Sequence, residues 1–320
     1  MRKILLLGGI LVVVGVLLLG AAFVMSGFDL SGLDTAAYET KTYAVSEAVT
    51  TLEIQTDEAD IALRPSDDGT LRVDCVARQK VDYTVLAEQG TLRVTAVDRR
   101  AWYDHLSLFS VRSQSVTVYL PNDSYEALTV RTDTGDVSVP DDFSFGTAEI
   151  AAGTGEIDFE ASVERGLCIR TSTGDIRLVG VRAGQIELSA TTGDIVANNV
   201  DCTGTLSVIL STGELSLTDV SCAALVSSGS TGEAKLKNVI ALERFEIERD
   251  TGDVRFERCD AGQITVKTST GDVSGTLRTE KVFITKSSTG DIRVPDTVSG
   301  GRCEITTSTG DIRIELEREP

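Results

Sequence analysis

The sequence predicts an all-β chain, a parallel β-helix-like β-solenoid of 19–20-residue rungs, preceded by an N-terminal transmembrane helix. Three observations predict it. A Thr-Gly-acid tripeptide, followed at once by an apolar residue, recurs ten times, with its glycine at Gly135, Gly155, Gly174, Gly193, Gly213, Gly232, Gly252, Gly271, Gly290 and Gly310. Apolar and polar residues alternate on both sides of it. Residues 4–25 contain no charge. A constant period near twenty marks a solenoid, in which no repeat can bury its apolar face alone and each stacks on its neighbours.

The first element is the run ILLLGGILVVVGVLLLGAAFVM at residues 4–25, long enough to cross a bilayer as a helix. Arg2 and Lys3 precede it, which places the N-terminus in the cytoplasm and everything after residue 25 outside. The small residues Gly20, Ala21 and Ala22 also offer a cleavage site. The expected localisation is therefore the cell membrane, single-pass, with an extracytoplasmic C-terminal domain. Residues 26–42 read as a linker.

Residues 43–127 read as an irregular β N-terminal cap with the first rungs. Thr56 to Leu63 is a degenerate repeat, with Asp60 and Ile61 standing where Asp136 and Val137 stand. Asp67-Asp68-Gly69 is a turn signal before Leu71-Arg72-Val73. The stretch Arg99 to His105 holds the only Trp and the only His of the chain. It reads either as a protruding binding loop or as a loop packing Trp102 against the cap.

Residues 128–320 form the solenoid proper. The positions two after each repeat glycine are all apolar, from Val137 to Ile312, and those five and seven before it are mostly apolar. Period-two alternation on both sides of a glycine turn gives strand, tight turn, strand, looser turn. At about 4.8 Å per step, nine steps make a rod of about 43 Å. The Thr before each glycine shares the parity of the preceding apolar positions and reads as an internal or corner hydroxyl ladder. The C-terminal Ile314 to Pro320, with its charges and terminal Pro, reads as a blunted edge strand.

The transmembrane segment, the Tyr119-Leu120-Pro121 strand end and the repeats Thr171 to Ile176, Thr268 to Val273, Ser287 to Ile292 and Thr307 to Ile312 together resemble the bacterial DUF4097 family, a "putative adhesin" group. The resemblance covers about residues 45–316. It implies an envelope-associated β-solenoid, and some members of the family are similar to proteins of cell-envelope stress signalling.

Chemistry is sparse. The net charge of −19 argues against nucleic acid and favours cationic partners. The six cysteines form no CxxC or Cys/His cluster, which argues against zinc. Cys202 and Cys222 each follow a repeat glycine by nine residues, so they stack as a disulfide or as a buried ladder. The residue after every repeat glycine is acidic, and stacking aligns these carboxylates. Two at 4.8 Å repel by about 0.9 kcal/mol even at the dielectric of water. Turn amides can offset this, as can Arg177, Lys235, Arg255, Arg293 and Arg313, two residues on and on the same face. A calcium ladder along Asp175, Asp194, Asp253, Asp272 and Asp291 is the sharper alternative, although the Gly-Gly-x-Gly-x-Asp calcium repeat is absent.

No catalytic triad is legible, and no cofactor is implied. The expected function is a non-catalytic, membrane-anchored envelope protein presenting an adhesion or interaction surface. Its partners would be an envelope protein, a wall polymer or a cationic peptide. The alternative is an extracytoplasmic sensor of envelope stress. A carbohydrate-active β-helix enzyme is third.

Overall fold

The computed structural model describes residues 38–98 and 113–317. The expected membrane segment at 1–25 and the Trp102 loop lie outside these residues. Every regular element among the described residues is a β-strand.

The first strands are β1 (Tyr38–Val45), β2 (Thr51–Glu58), β3 (Asp60–Pro65), β4 (Leu71–Arg78), β5 (Val81–Glu88), β6 (Thr91–Asp98) and β7 (Ser115–Leu120). The next seven, β8–β14, are Ser124–Thr134, Val137–Val139, Ser144–Thr154, Ile157–Phe159, Ser162–Thr173, Ile176–Val179 and Arg182–Thr192. Four long strands follow as β15–β18: Ile195–Thr212, Leu215–Thr231, Ala234–Thr251 and Val254–Thr270. The last five, β19–β23, are Val273–Leu277, Lys281–Thr289, Ile292–Arg293, Gly301–Thr309 and Ile312–Leu316.

One rung shows how the repeat closes. After Gly193, Ile195 and Ala197 face the core. Asn199 turns the chain in the left-handed region, and Val200 and Cys202 face inward on the next side. A register shift between Cys202 and Thr205 makes the second corner. Leu206, Val208 and Leu210 line the third side, and Thr212-Gly213 closes the coil. Each rung lies parallel on the next, with Ile195 over Leu215, Val200 over Val220 and Leu206 over Leu225. The core is therefore a set of aliphatic columns, widened by Phe145, Phe159, Phe245 and Phe256.

The order of the rungs departs from chain order at both ends. At the N-terminal end β2 lies between β6 and β8, and β3 between β7 and β9. Strands β6 and β7 thus belong to the outermost of the parallel rungs. Strand β5 pairs antiparallel with β6, and β4 antiparallel with both β7 and β1, which closes this end. At the C-terminal end β22 lies between β18 and β20, and β23 between β19 and β21. The last rung in sequence is therefore the penultimate rung in space.

Three expectations change accordingly. The C-terminal strand is interior, and the free edge belongs to β20 and β21. Gly300 and Gly301 let the chain slip back inward, since a Cβ on either would collide with a neighbouring backbone carbonyl, that of Glu280 or of Gly262. The two N-terminal rungs lengthen the rod to about 53 Å at roughly 4.8 Å per step. Residues 38–42 of the stretch read as a linker belong to β1, where Lys41 pairs with Asp82 at 2.5 Å and the Tyr43 hydroxyl donates to the Tyr83 carbonyl.

Candidate functional site

The Thr-Gly-acid corner is the most regular chemistry in the molecule. All ten repeat glycines have φ between +134° and +154°, a conformation that side chains resist. This sharp corner brings the ten acids into one column. The Thr before each glycine is at the corner and exposed in all ten copies. The interior hydroxyls stand two residues earlier, at Thr132, Thr171, Thr268 and Thr307, in a column shared with Ala152, Ala190 and Leu210.

The acids are engaged with the next turn. Asp136 accepts the amide of Glu156 at 2.8 Å, Asp175 that of Asp194 at 2.7 Å, Asp194 that of Glu214 at 2.7 Å and Asp253 that of Asp272 at 2.9 Å. Asp272 accepts the amide of Asp311, and Asp311 that of Asp291, following the spatial order of the last rungs. Asp60 does the same for Asp136 at 3.1 Å, so the degenerate repeat joins the relay. A hydrogen bond to a charged acceptor contributes about 1.5–3 kcal/mol, which outweighs a repulsion of about 0.9 kcal/mol between neighbours.

Glu156, Glu214 and Glu233 form no such bond, their carboxylates standing one methylene too far out. Glu214 instead accepts Lys235 at 2.7 Å, and Glu233 pairs with Arg255 at 2.9 Å. Glu156 has Asp158 beside it, and that charge, then burial, Asp136 and Asp175 hold its carboxyl above the usual range. Of the five expected cations, Lys235, Arg255 and Arg313 form ion pairs with corner acids, at 2.7, 2.9 and 2.5 Å. The geometry yields a sharp expectation. Asp194→Glu should cost about 1.5–3 kcal/mol by losing the Glu214 amide bond, while Asp194→Asn, which keeps an acceptor at the same reach, should cost less. Urea melts of the two variants check this.

Among the described residues no group of three His, Cys, Asp or Glu side chains is placed to hold a metal ion. In the column considered for calcium, Asp175, Asp194 and Asp253 each give one oxygen to a backbone amide. One depression of about 730 Å³ is an open groove whose charged lining includes Glu126, Glu164, Arg165, Arg182 and Asp201. Cys202 lies directly over Cys222. Both are free thiols in the core, and burial raises Cys222 to about 12. They form a buried ladder.

Two features were not anticipated from the sequence. The looser turn is a second regular corner. Gly180, Asn199, Asp219, Asn238 and Arg258 each stand six residues after a repeat glycine, with φ between +52° and +70°. Asn and Asp tolerate this region better than most residues. Their side chains continue from rung to rung, Asn238 donating to Asp219 at 2.7 Å and Arg258 to Asn238 at 2.9 Å.

The other is Arg249, 4% exposed in the interior column. Its guanidinium fills the space above Gly229, where a Cβ would meet it, and donates to Ser227 at 2.9 Å and to the Glu248 carbonyl at 3.2 Å. Burial lowers its pKa from 12.5 to about 10. Because the folded value is depressed, the unfolded chain binds the proton more tightly, and the cost of the buried charge is in full force below about pH 10. Arg249→Met, filling the same space without charge, is expected to match or raise the melting temperature at pH 7, while Arg249→Ala lowers it by leaving a cavity. Above pH 10 any advantage of Arg249→Met should shrink.

Parallel rungs of 19–20 residues with a Thr-Gly-acid corner define a β-solenoid whose carboxylates tie each turn to the next. The sequence profile described as Toastrack DUF4097 matches residues 49–216 and 203–320. The chain belongs to this family.

Among solved structures it is similar to a "putative adhesin" from Parabacteroides distasonis ATCC 8503, with a TM-score of 0.51 at 13% identity over 75% of this chain and 98% of that one. It is also similar to a "putative adhesin" from Parabacteroides merdae ATCC 43184, with a TM-score of 0.50 at 11% identity over 76% of this chain and 97% of that one. At these identities the likeness is one of fold. No curated protein matches the chain.

Proposed function

We propose that this chain is a non-catalytic, membrane-anchored envelope protein that presents its solenoid as an adhesion or interaction surface. The observation that carries the reading is the engagement of the corner acids. Their oxygens bind backbone amides and neighbouring cations, so the densest array of reactive groups holds the rungs together. What remains for partners is a long outer surface of regularly spaced side chains. The adhesin names given to proteins of the same fold agree with this. Residues 4–25 would anchor it in the cell membrane, with the N-terminus cytoplasmic and the solenoid extracytoplasmic.

A second reading is favoured by the net charge of −19. An acidic extracytoplasmic domain attracts cationic peptides and can report envelope stress to a signalling protein. Photo-crosslinking in living cells from position 177, exposed on the corner face, distinguishes the two. Capture of wall polymer or of a foreign surface protein supports adhesion. Capture of a signalling membrane protein of the same cell would replace adhesion with sensing. For catalysis, single substitutions of the corner acids would have to abolish turnover at one or two positions only.

A further inference from the structure

We propose that the terminal strand β20 pairs antiparallel with β20 of a second copy, joining two solenoids end to end. Among the described residues β20 is paired on one side only, with β22. Unpaired edges template further pairing unless they are blunted. This edge is apolar instead. Val282 and Ile284 are 38% and 48% exposed, and they lie beside Arg302 and Glu304 of the inner rung. Ile292 of the same terminal rung is 41% exposed. At these positions the outward face changes from charged on the penultimate rung to apolar on the terminal one.

The outward residues Glu280, Val282, Ile284 and Lys286 are complementary to their own reverse. With a twofold axis through Phe283, Glu280 faces Lys286 of the second copy and Val282 faces its Ile284, each pair occurring twice. Both apolar residues are covered, and both charges meet an opposite charge. Glu280 already accepts the Ser299 hydroxyl through one carboxylate oxygen, and the other is free of that bond.

The main chain has the matching parity. Thr289 and Asp291 turn their carbonyls to Gly310 and Ile312 of the inner rung. Alternation along the unbroken register of β20 then directs the amides and carbonyls of Val282, Ile284 and Lys286 to the open side. In the proposed register these residues meet as hydrogen-bonded pairs and Phe283 meets Phe283 as a non-hydrogen-bonded pair. An interface of one strand per copy is at the small, reversible end of the range for protein contacts. The pairing does not depend on how residues 4–25 are disposed.

Charge exchange tests it on the full chain in detergent, with two differently tagged copies co-expressed and one tag used for purification. Wild-type copies should co-purify. Glu280→Lys should fail to retain itself, and Lys286→Glu should fail to retain itself, each by about fivefold or more. Glu280→Lys and Lys286→Glu together should retain each other, because opposite charges again face across the axis. Both positions are exposed, and unchanged circular dichroism melts would confirm that the variants fold. Absence of wild-type co-purification would overturn the proposal. So would self-retention of the single variants at the wild-type level, or a different protein held at this edge in place of the second copy.

Discussion

Gly232→Ala is expected to destabilise the solenoid by about 3–5 kcal/mol, adding the cost of a side chain at an unfavourable φ to that of overpacking against backbone. Gly232 has φ +134°, and a Cβ there would lie well inside van der Waals contact with the Gly213 carbonyl. The atom it meets is the backbone of the neighbouring corner, held in the same stack, so no side chain can swing away. Net stabilities of folded domains are about 5–15 kcal/mol, which makes this a large fraction. Gly166→Ala is the control. Nothing lies within 4 Å of its added Cβ, and its φ is outside the positive range. It should be neutral or stabilise by up to about 1 kcal/mol. Urea unfolding followed by circular dichroism measures both, and coincident curves for Gly232→Ala and wild type would sink this account of the corner. Stack stability is a sum of rung and interface contributions, so a broadened transition is also expected.

Removing residues 301–320 is expected to cost two rungs. In a stack built in chain order, loss of the last rung would leave its predecessor in place. Here β20 and β21 are held by β22 and β23, which would be gone. Amides of residues 281–293 should therefore lose hydrogen-exchange protection together, while those of residues 144–250 keep it. The competing outcome is that β20 moves inward onto β18. That would set Phe283 where Cys303 now lies over Ile264, and Thr285 where Ile305 lies over Val266. It would also break the seat of Lys281, which is 3% exposed and pairs with Asp260 at 2.6 Å. Persisting protection at 281–293 would show that this shift occurs and would refute the expectation.

The ten Thr-Gly corners and the inward columns were legible because each places one residue type at one phase of a constant period. The order of the end rungs was not. A period sets the register around the coil, and a rung 19 or 20 residues on fits the same register in either of two adjacent layers. The glycine pair at 300 and 301 was the local signal for the return step. The left-handed corner was written at Gly180, Asn199, Asp219 and Asn238, residue types that favour such turns, but Arg258 interrupts the set. Arg249 stood in a core column against its chemistry. The explanation lay one rung away, in the small residues Ser227 and Gly229. The difference between Asp and Glu after the glycine needed coordinates, because it rests on the length of a single methylene.

The out-of-order C-terminal rung also governs how the molecule bears load. Along most of the rod a pull on one end would peel rungs singly, each releasing about 65 Å of chain from 19 residues at up to 3.4 Å apiece. A pull on Glu317 acts differently. Strand β23 lies between β19 and β21, so two ladders are sheared at once and their hydrogen bonds share the force. At the other end, among the described residues, β1 has a single main-chain ladder, to β4. Under tension β1 gives way first, and the solenoid behind it keeps its shape.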